Sequence, residues 1–357
     1  MKKIGGFSLA LTFAGCFLGA GYVSGKELWQ YFGAFGTDGI YGLILSLLLQ
    51  FAFGYMLIRL SSDSGICQLD KIIIRKDMPV FRSVVGGVSV FFLFGIFVVM
   101  AAGAGSLLNR ILGLNYALCC AAFCAVVALT AYFGISGMVK GFSLIVPLLS
   151  VACIGICILQ LAKGLPLEIE VGSSSSNPLL GGWLFSSINY AAYNMFGTIG
   201  ILCPIAVNIN KKSTALSGTA LGCFILLAMA VGILLALCTC PSAVNFDLPM
   251  LELAYGILPV MGVIYSILLF LGMFGTSMSS LVACKTYFEQ KFPFLHEHKI
   301  AVVCILSTLA FLGSLFGFGE LVSIVYPICG YLGIIALILI AEHYFYIRKI
   351  MKKKEKI

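Results

Sequence analysis

Phe13-Ala-Gly-Cys-Phe-Leu-Gly-Ala-Gly-Tyr-Val-Ser-Gly-Lys-Glu27 is the stretch on which the fold turns. It lies inside an apolar run from residue 6 to 33, yet it holds Gly15, Gly19, Gly21 and Gly25. A regular helix tolerates such density poorly, because each glycine costs about 1 kcal/mol relative to alanine. Two readings are open. Either the helix unwinds at mid-membrane and offers its backbone to a solute or ion, or Gly15-x-x-x-Gly19 is a seam along which two helices approach closely.

Around this stretch, 61% of the 357 residues are hydrophobic and 10% charged, a balance that a soluble domain could not hide from water. The bilayer is therefore the expected solvent, and at about 20 residues per crossing the length suits ten helices with little left for a soluble domain. Apolar runs bounded by Gly, Pro, Ser or charge fall at 6–33, 38–59, 83–108, 114–134, 140–162, 180–208, 214–239, 258–286, 299–316 and 319–347. Met1-Lys-Lys3 before an apolar run imitates a signal peptide, but the run passes Tyr31 without a cleavage context, so it reads as helix one.

With the N-terminus inside, the inner loops and helix ends collect Lys2, Lys3, Arg59, Lys71, Arg75, Lys76, Arg82, Lys140, Lys211, Lys212, Lys285, Lys291, Lys299 and the tail from Arg348. Only Lys26, Arg110 and Lys163 fall at or near the outer boundary, an asymmetry that places both termini in the cytoplasm of a bacterial inner-membrane protein. The net charge of +8 thus reports topology and not nucleic-acid binding.

The outer segment Pro249-Met-Leu-Glu-Leu-Ala-Tyr-Gly256 is too short to span and suits a short surface helix acting as a lid. The polar stretch Ser173 to Asn177 reads as a linker between two halves of five helices. Five is odd, so the halves are inverted, dividing the chain into 1–163, a linker 164–178, 179–348 and a basic tail 349–357. Helix six has its own polar centre at the matching place, Asn189-Tyr-Ala-Ala-Tyr-Asn-Met-Phe-Gly-Thr-Ile-Gly200, so both helices are expected to be interrupted there.

Glu27, beside Lys26, either marks the transport path as a coupling or gating group or snorkels to the outer interface. In helix eight, Gly275-Thr-Ser-Met-Ser-Ser280 sets Thr276, Ser279 and Ser280 on one face, where their hydroxyls either join a cation site or bond the carbonyl one turn back. Cys119, Cys120, Cys124, Cys153, Cys157 and Cys223 lie inside apolar spans and read as packing residues. His296, His298 and His343 sit near the inner boundary, with no arrangement that suggests metal or catalytic use, and no enzymatic activity is expected.

Gly19-Ala-Gly-Tyr-Val-Ser-Gly-Lys-Glu27 and Tyr193-Asn194 resemble the LeuT-fold transporters of the amino acid-polyamine-organocation superfamily, and within it the YkvI-like bacterial membrane proteins. The resemblance implies an all-α transmembrane fold of ten helices in a 5+5 inverted repeat. It also implies that Ala14 to Gly21 unwind, with Gly15 and Leu18 carbonyls joining Thr276, Ser279 and Ser280 around a sodium ion. The family has a side-chain amide where this chain has Tyr22, which speaks against a second sodium. Helix five carries no lysine inside its span for proton coupling, Lys140 lying at its start.

Gly19, Ala20, Gly21, Tyr190, Tyr193, Asn194 and Gly197 are then the expected substrate contacts, for an amino acid or a related zwitterion or amine. The expected activity is secondary transport of a small polar solute by alternating access, with no cofactor beyond a candidate sodium ion. A receptor-like subunit that senses a solute is the competing reading, and saturable uptake separates the two.

Overall fold

The computed structural model describes residues 5–66, 69–74, 79–133, 138–167, 177–209 and 211–354. Residues 173–176 of the expected linker, Glu168, Glu170, Arg75, Lys76 and the last three residues of the tail lie outside this set.

The described residues are helical, and ten spans follow the apolar runs. The first is in three pieces, α1 (Gly6–Phe17), α2 (Ala20–Val23) and α3 (Lys26–Tyr31). The second is α4 (Thr37–Ser64), followed by the short α5 (Leu69–Ile73), and the third to fifth are α6 (Pro79–Leu112), α7 (Tyr116–Phe133) and α8 (Met138–Leu161). The sixth and seventh are α9 (Trp183–Ala206) and α10 (Lys212–Cys238), and the lid segment forms α11 (Pro249–Ile257). The last three are α12 (Pro259–Lys291), α13 (Lys299–Ser314) and α14 (Phe318–Lys354). Five of these, α4, α6, α10, α12 and α14, are long and apolar enough to cross a bilayer on composition alone. The residues expected to be a basic tail continue α14 as far as Lys354.

Packing sorts the spans into two groups. α1, α4, α9 and α10 pack on one another, while α6, α7, α12 and α13 form a second set. α8 bridges α10 and α12, and α14 lies mainly on α9. Small residues make these approaches possible: a methyl group added at Gly333 of α14 would lie 2.5 Å from the Ala192 carbonyl oxygen of α9. Cys119, Cys120, Cys124, Cys153, Cys157 and Cys223 are buried, and the last four belong to the apolar core.

The expected interruption of helix six is corrected: α9 is helical without a break from Trp183 to Ala206. Its polar groups do not compete for the backbone ladder. Asn194 and Thr198 donate to the carbonyls of Tyr190 (3.1 Å) and Met195 (2.8 Å) within the same helix, and Asn189 turns outward to other helices. Packing against α4 and α14 offsets the weak propensity of Gly197 and Gly200.

Pro327 shows how a neighbour repairs a helix. Its missing N–H leaves the Ser323 carbonyl without an intrahelical donor, and Asn177 Nδ2 supplies one from before α9 at 2.6 Å.

Candidate functional site

The first span breaks twice. Gly19 is extended (φ −79°, ψ 171°), and its amide reaches only the Phe17 carbonyl, at 2.8 Å, so the regular ladder stops. The Gly15 and Leu18 carbonyls consequently receive no amide among the described backbone hydrogen bonds. The second break is at Gly25, whose φ of +81° lies in the left-handed region that favours glycine.

Between these joints α2 is one turn long and is held from all sides. Tyr22 Oη donates to the Leu226 carbonyl of α10 at 2.6 Å, and Tyr265 Oη of α12 donates to the Val23 carbonyl at 2.5 Å. The Met250 amide of α11 donates to the Ser24 carbonyl at 2.9 Å. Carbonyls released by the Gly25 break therefore have donors.

Glu27 does not snorkel. Its side chain turns inward and is 2% exposed, and Oε1 has no hydrogen-bond partner. Its surroundings include Tyr190, Tyr193 and Asn194 of α9 and the Cα side of Gly21, where an added methyl would lie 2.5 Å from Oε2. The Tyr326 ring of α14 closes the far side, 3.3 Å from that methyl position.

Four tyrosines enclose this carboxylate. Tyr193 stacks on Tyr326 with centroids 4.6 Å apart, Tyr31 meets Tyr190 edge-on at 5.0 Å, and Tyr31 lies over Tyr193 at 6.4 Å. Tyr31 Oη donates to Asn189 Oδ1 at 3.2 Å while Asn189 Nδ2 donates to the Pro327 carbonyl at 2.9 Å, so one amide fixes three helices. Tyr190 Oη is buried with no partner.

Of the expected substrate contacts, Gly21, Tyr190, Tyr193 and Asn194 thus converge on Glu27. Gly19 borders open space, since a methyl added there would meet nothing within 4 Å, and Ala20 is buried in the adjoining turn. Gly197 makes room for a ring, because a methyl there would sit 3.1 Å from Phe92.

The helix-eight hydroxyls do not share one environment, a second correction. Ser280 is buried, Ser279 is exposed, and Thr276 Oγ1 donates to the Gly272 carbonyl at 3.0 Å. Adjacent helical positions point about 100° apart, which is why Ser279 and Ser280 separate. α12 does pack against α2, beside the break. Ser277 of α12 is buried with an unpartnered Oγ.

Tyr31 and Tyr326 were not among the expected contacts. Tyr31 lies four residues after Glu27, hence on the same helical face, and that spacing was a readable signal. Tyr326 comes from the far end of the chain, and only the tertiary fold brings it here.

The end of the bundle that carries α11 is closed by a polar latch. Lys26 Nζ donates to the carbonyls of Val244 and Phe246, both at 3.0 Å. Asp247 accepts from Ser106 Oγ of α6 at 2.5 Å and from the Gly319 amide of α14 at 3.2 Å. Arg110 of α6 grips Glu252 of α11 through two bonds of 2.8 and 3.1 Å.

No protein-family model matches the chain. The uncharacterised membrane protein YkvI of Bacillus subtilis (strain 168) is 24% identical over 332 residues, covering 91% of this chain and 92% of that one. Among solved structures, MhsT in complex with L-phenylalanine superposes with a TM-score of 0.64 at 19% identity, covering 92% of this chain and 87% of that one. A substrate-bound Na+-coupled sialic acid symporter superposes with a TM-score of 0.55 at 14% identity, covering 88% and 72%. The protein is therefore a multi-pass membrane protein with the LeuT-type transporter fold, similar over nearly its whole length to YkvI.

Proposed function

We propose that this protein is a secondary active transporter that carries a small amine-bearing solute, an amino acid or a related zwitterion or amine, across a bacterial cytoplasmic membrane. The observation that carries the reading is a buried, hydrogen-bond-deficient carboxylate at the broken first span, enclosed by tyrosines and shut off from outside by a latched lid. Such a group inside a membrane marks a solute path, because no folding requirement explains its cost.

Alternating access follows from the packing. α1 and α9 belong to one group of helices and α6, α7, α12 and α13 to the other, so rocking one group against the other opens the site to alternate sides. Both termini face the cytoplasm in this reading, in keeping with the lysines and arginines of the inner loops. Sodium is the candidate coupling ion. The free Gly15 and Leu18 carbonyls and the buried Ser280 hydroxyl support it, as does the coupling named for the sialic acid symporter.

The test is uptake into proteoliposomes of purified protein under an inward sodium gradient, with Ser280→Ala beside the wild type. Saturable, sodium-driven accumulation that Ser280→Ala slows by about tenfold supports carrier and ion together. Uptake indifferent to sodium removes the coupling alone. Solute binding with no flux under sodium, proton or counterflow conditions removes the carrier and leaves a receptor.

A further inference from the structure

Among the described residues Glu27 has no cationic partner. No lysine, arginine or histidine forms an ion pair with it among the described residues, and Lys26, its neighbour in sequence, points the opposite way to hold the Val244 and Phe246 carbonyls. The space around it is walled by Tyr31, Tyr190, Tyr193 and Tyr326, two of them stacked face to face. Hydroxyl donors within the cluster are partly committed elsewhere, Tyr31 to Asn189, whereas the Tyr190 hydroxyl faces the Glu27 carboxylate, whose Oε1 has no hydrogen-bond partner within bonding distance.

This chemistry discriminates among cations. A hard metal ion needs several converging oxygens, and the walls here are mostly ring carbons. An alkylammonium needs one anion, a few acceptors and π faces, which this pocket supplies. It also discriminates against a second carboxylate. Glu27 Oε2 already lies against Gly21 at the break, so a zwitterion seated there would bring its own carboxylate up against a second acid group with no cation between them.

Resting on the transport reading above and narrowing its substrate class, we infer that the Glu27 pocket selects a small organic cation, an amine without a carboxylate of its own. Glu27 takes the ammonium, and the tyrosine faces cover the hydrocarbon next to it.

The experiment uses the full-length protein in detergent and matched pairs that differ only by the carboxylate: phenethylamine and L-phenylalanine, isoamylamine and L-leucine, ethanolamine and L-serine. Thermal stabilisation and calorimetric titration measure the affinity of each. The expected result is that at least one amine binds about tenfold or more tighter than its zwitterion, as expected where a buried charge lacks its counterpart. Glu27→Gln is expected to lower that affinity by about tenfold or more with an unchanged melting temperature, and Glu27→Asp to recover part of it.

Zwitterions that bind as tightly as their amines overturn the inference, as do a Glu27→Gln variant within about twofold of wild type and failure of every pair to bind. Stabilisation by sodium chloride alone that disappears in Glu27→Gln assigns the carboxylate to the metal and also overturns it. Counterflow in proteoliposomes separates this from the carrier reading: selective amine binding without exchange leaves the cation pocket standing and removes transport.

Discussion

Replacing Asp247 with alanine is expected to loosen the α11 lid more than replacing Arg110, although Arg110 makes the more conspicuous ion pair. Asp247 accepts from Ser106 at 2.5 Å and from the Gly319 amide at 3.2 Å, which joins the lid approach to α6 and α14 at once. Hydrogen bonds to a charged group contribute about 1.5–3 kcal/mol each, and partial exposure discounts the pair to about 2–3 kcal/mol in all. Arg110 holds Glu252 at 2.8 Å but its side chain is 51% exposed. An exposed ion pair contributes about 0.2–1 kcal/mol, and the Tyr255 ring under the guanidinium, at 5.4 Å, adds about 0.5 kcal/mol.

At about 1.4 kcal/mol per tenfold, Asp247→Ala raises lid opening by about 30- to 140-fold and Arg110→Ala by about three- to twelvefold. Hydrogen exchange read by mass spectrometry on peptides covering 241–257 measures the opening equilibrium directly. High salt should erase most of the Arg110 effect and little of the Asp247 effect, because only the exposed pair is screened. An inverted order, or equal acceleration in α6 and α12 peptides, would refute the reasoning.

Three further outcomes follow from the same geometry. Gly21→Ala pushes a methyl to 2.5 Å from Glu27 Oε2 with Tyr326 behind it, so solute affinity falls by about tenfold with little change in melting temperature, and adding Glu27→Asp restores part of it. Loss of affinity that the shorter acid does not relieve would count against the crowding argument. Gly333→Ala meets the backbone of Ala192, which cannot yield, and costs about 1–3 kcal/mol in chemical or thermal unfolding, whereas Gly19→Ala meets nothing and is near neutral. Asn177→Ala costs about 0.6–1.7 kcal/mol in the native background and much less beside Pro327→Ala, because alanine at 327 supplies the amide that the Ser323 carbonyl otherwise lacks. Strictly additive unfolding energies for the two substitutions would dismiss the repair.

The spans were legible because lipid demands long apolar runs, and the run at 214–239 became α10 at Lys212–Cys238. The first break was equally legible, since glycines crowd where no packing partner is needed to weaken a helix. Helix six misled because polar residues in sequence do not announce where their partners lie. Asn189 is satisfied by Tyr31 and the Pro327 carbonyl, 158 and 138 residues away, so its backbone stays helical. The same distance in sequence hid Tyr326. Ser279 and Ser280 take different environments, one exposed and one buried, because neighbouring hydroxyls in the letters point apart around a helix in space.

The one-turn α2 has a mechanical consequence. Its final carbonyls are tied to the lid through Met250 and to α12 through Tyr265, and it joins its neighbours through Gly19 and Gly25. A lifted α11 would therefore pull on Ser24, three residues from Glu27, through one hydrogen bond and a short run of covalent bonds. A solute that reorients Glu27 pulls on the same cord from the other end, so lid and ligand hold a common rein.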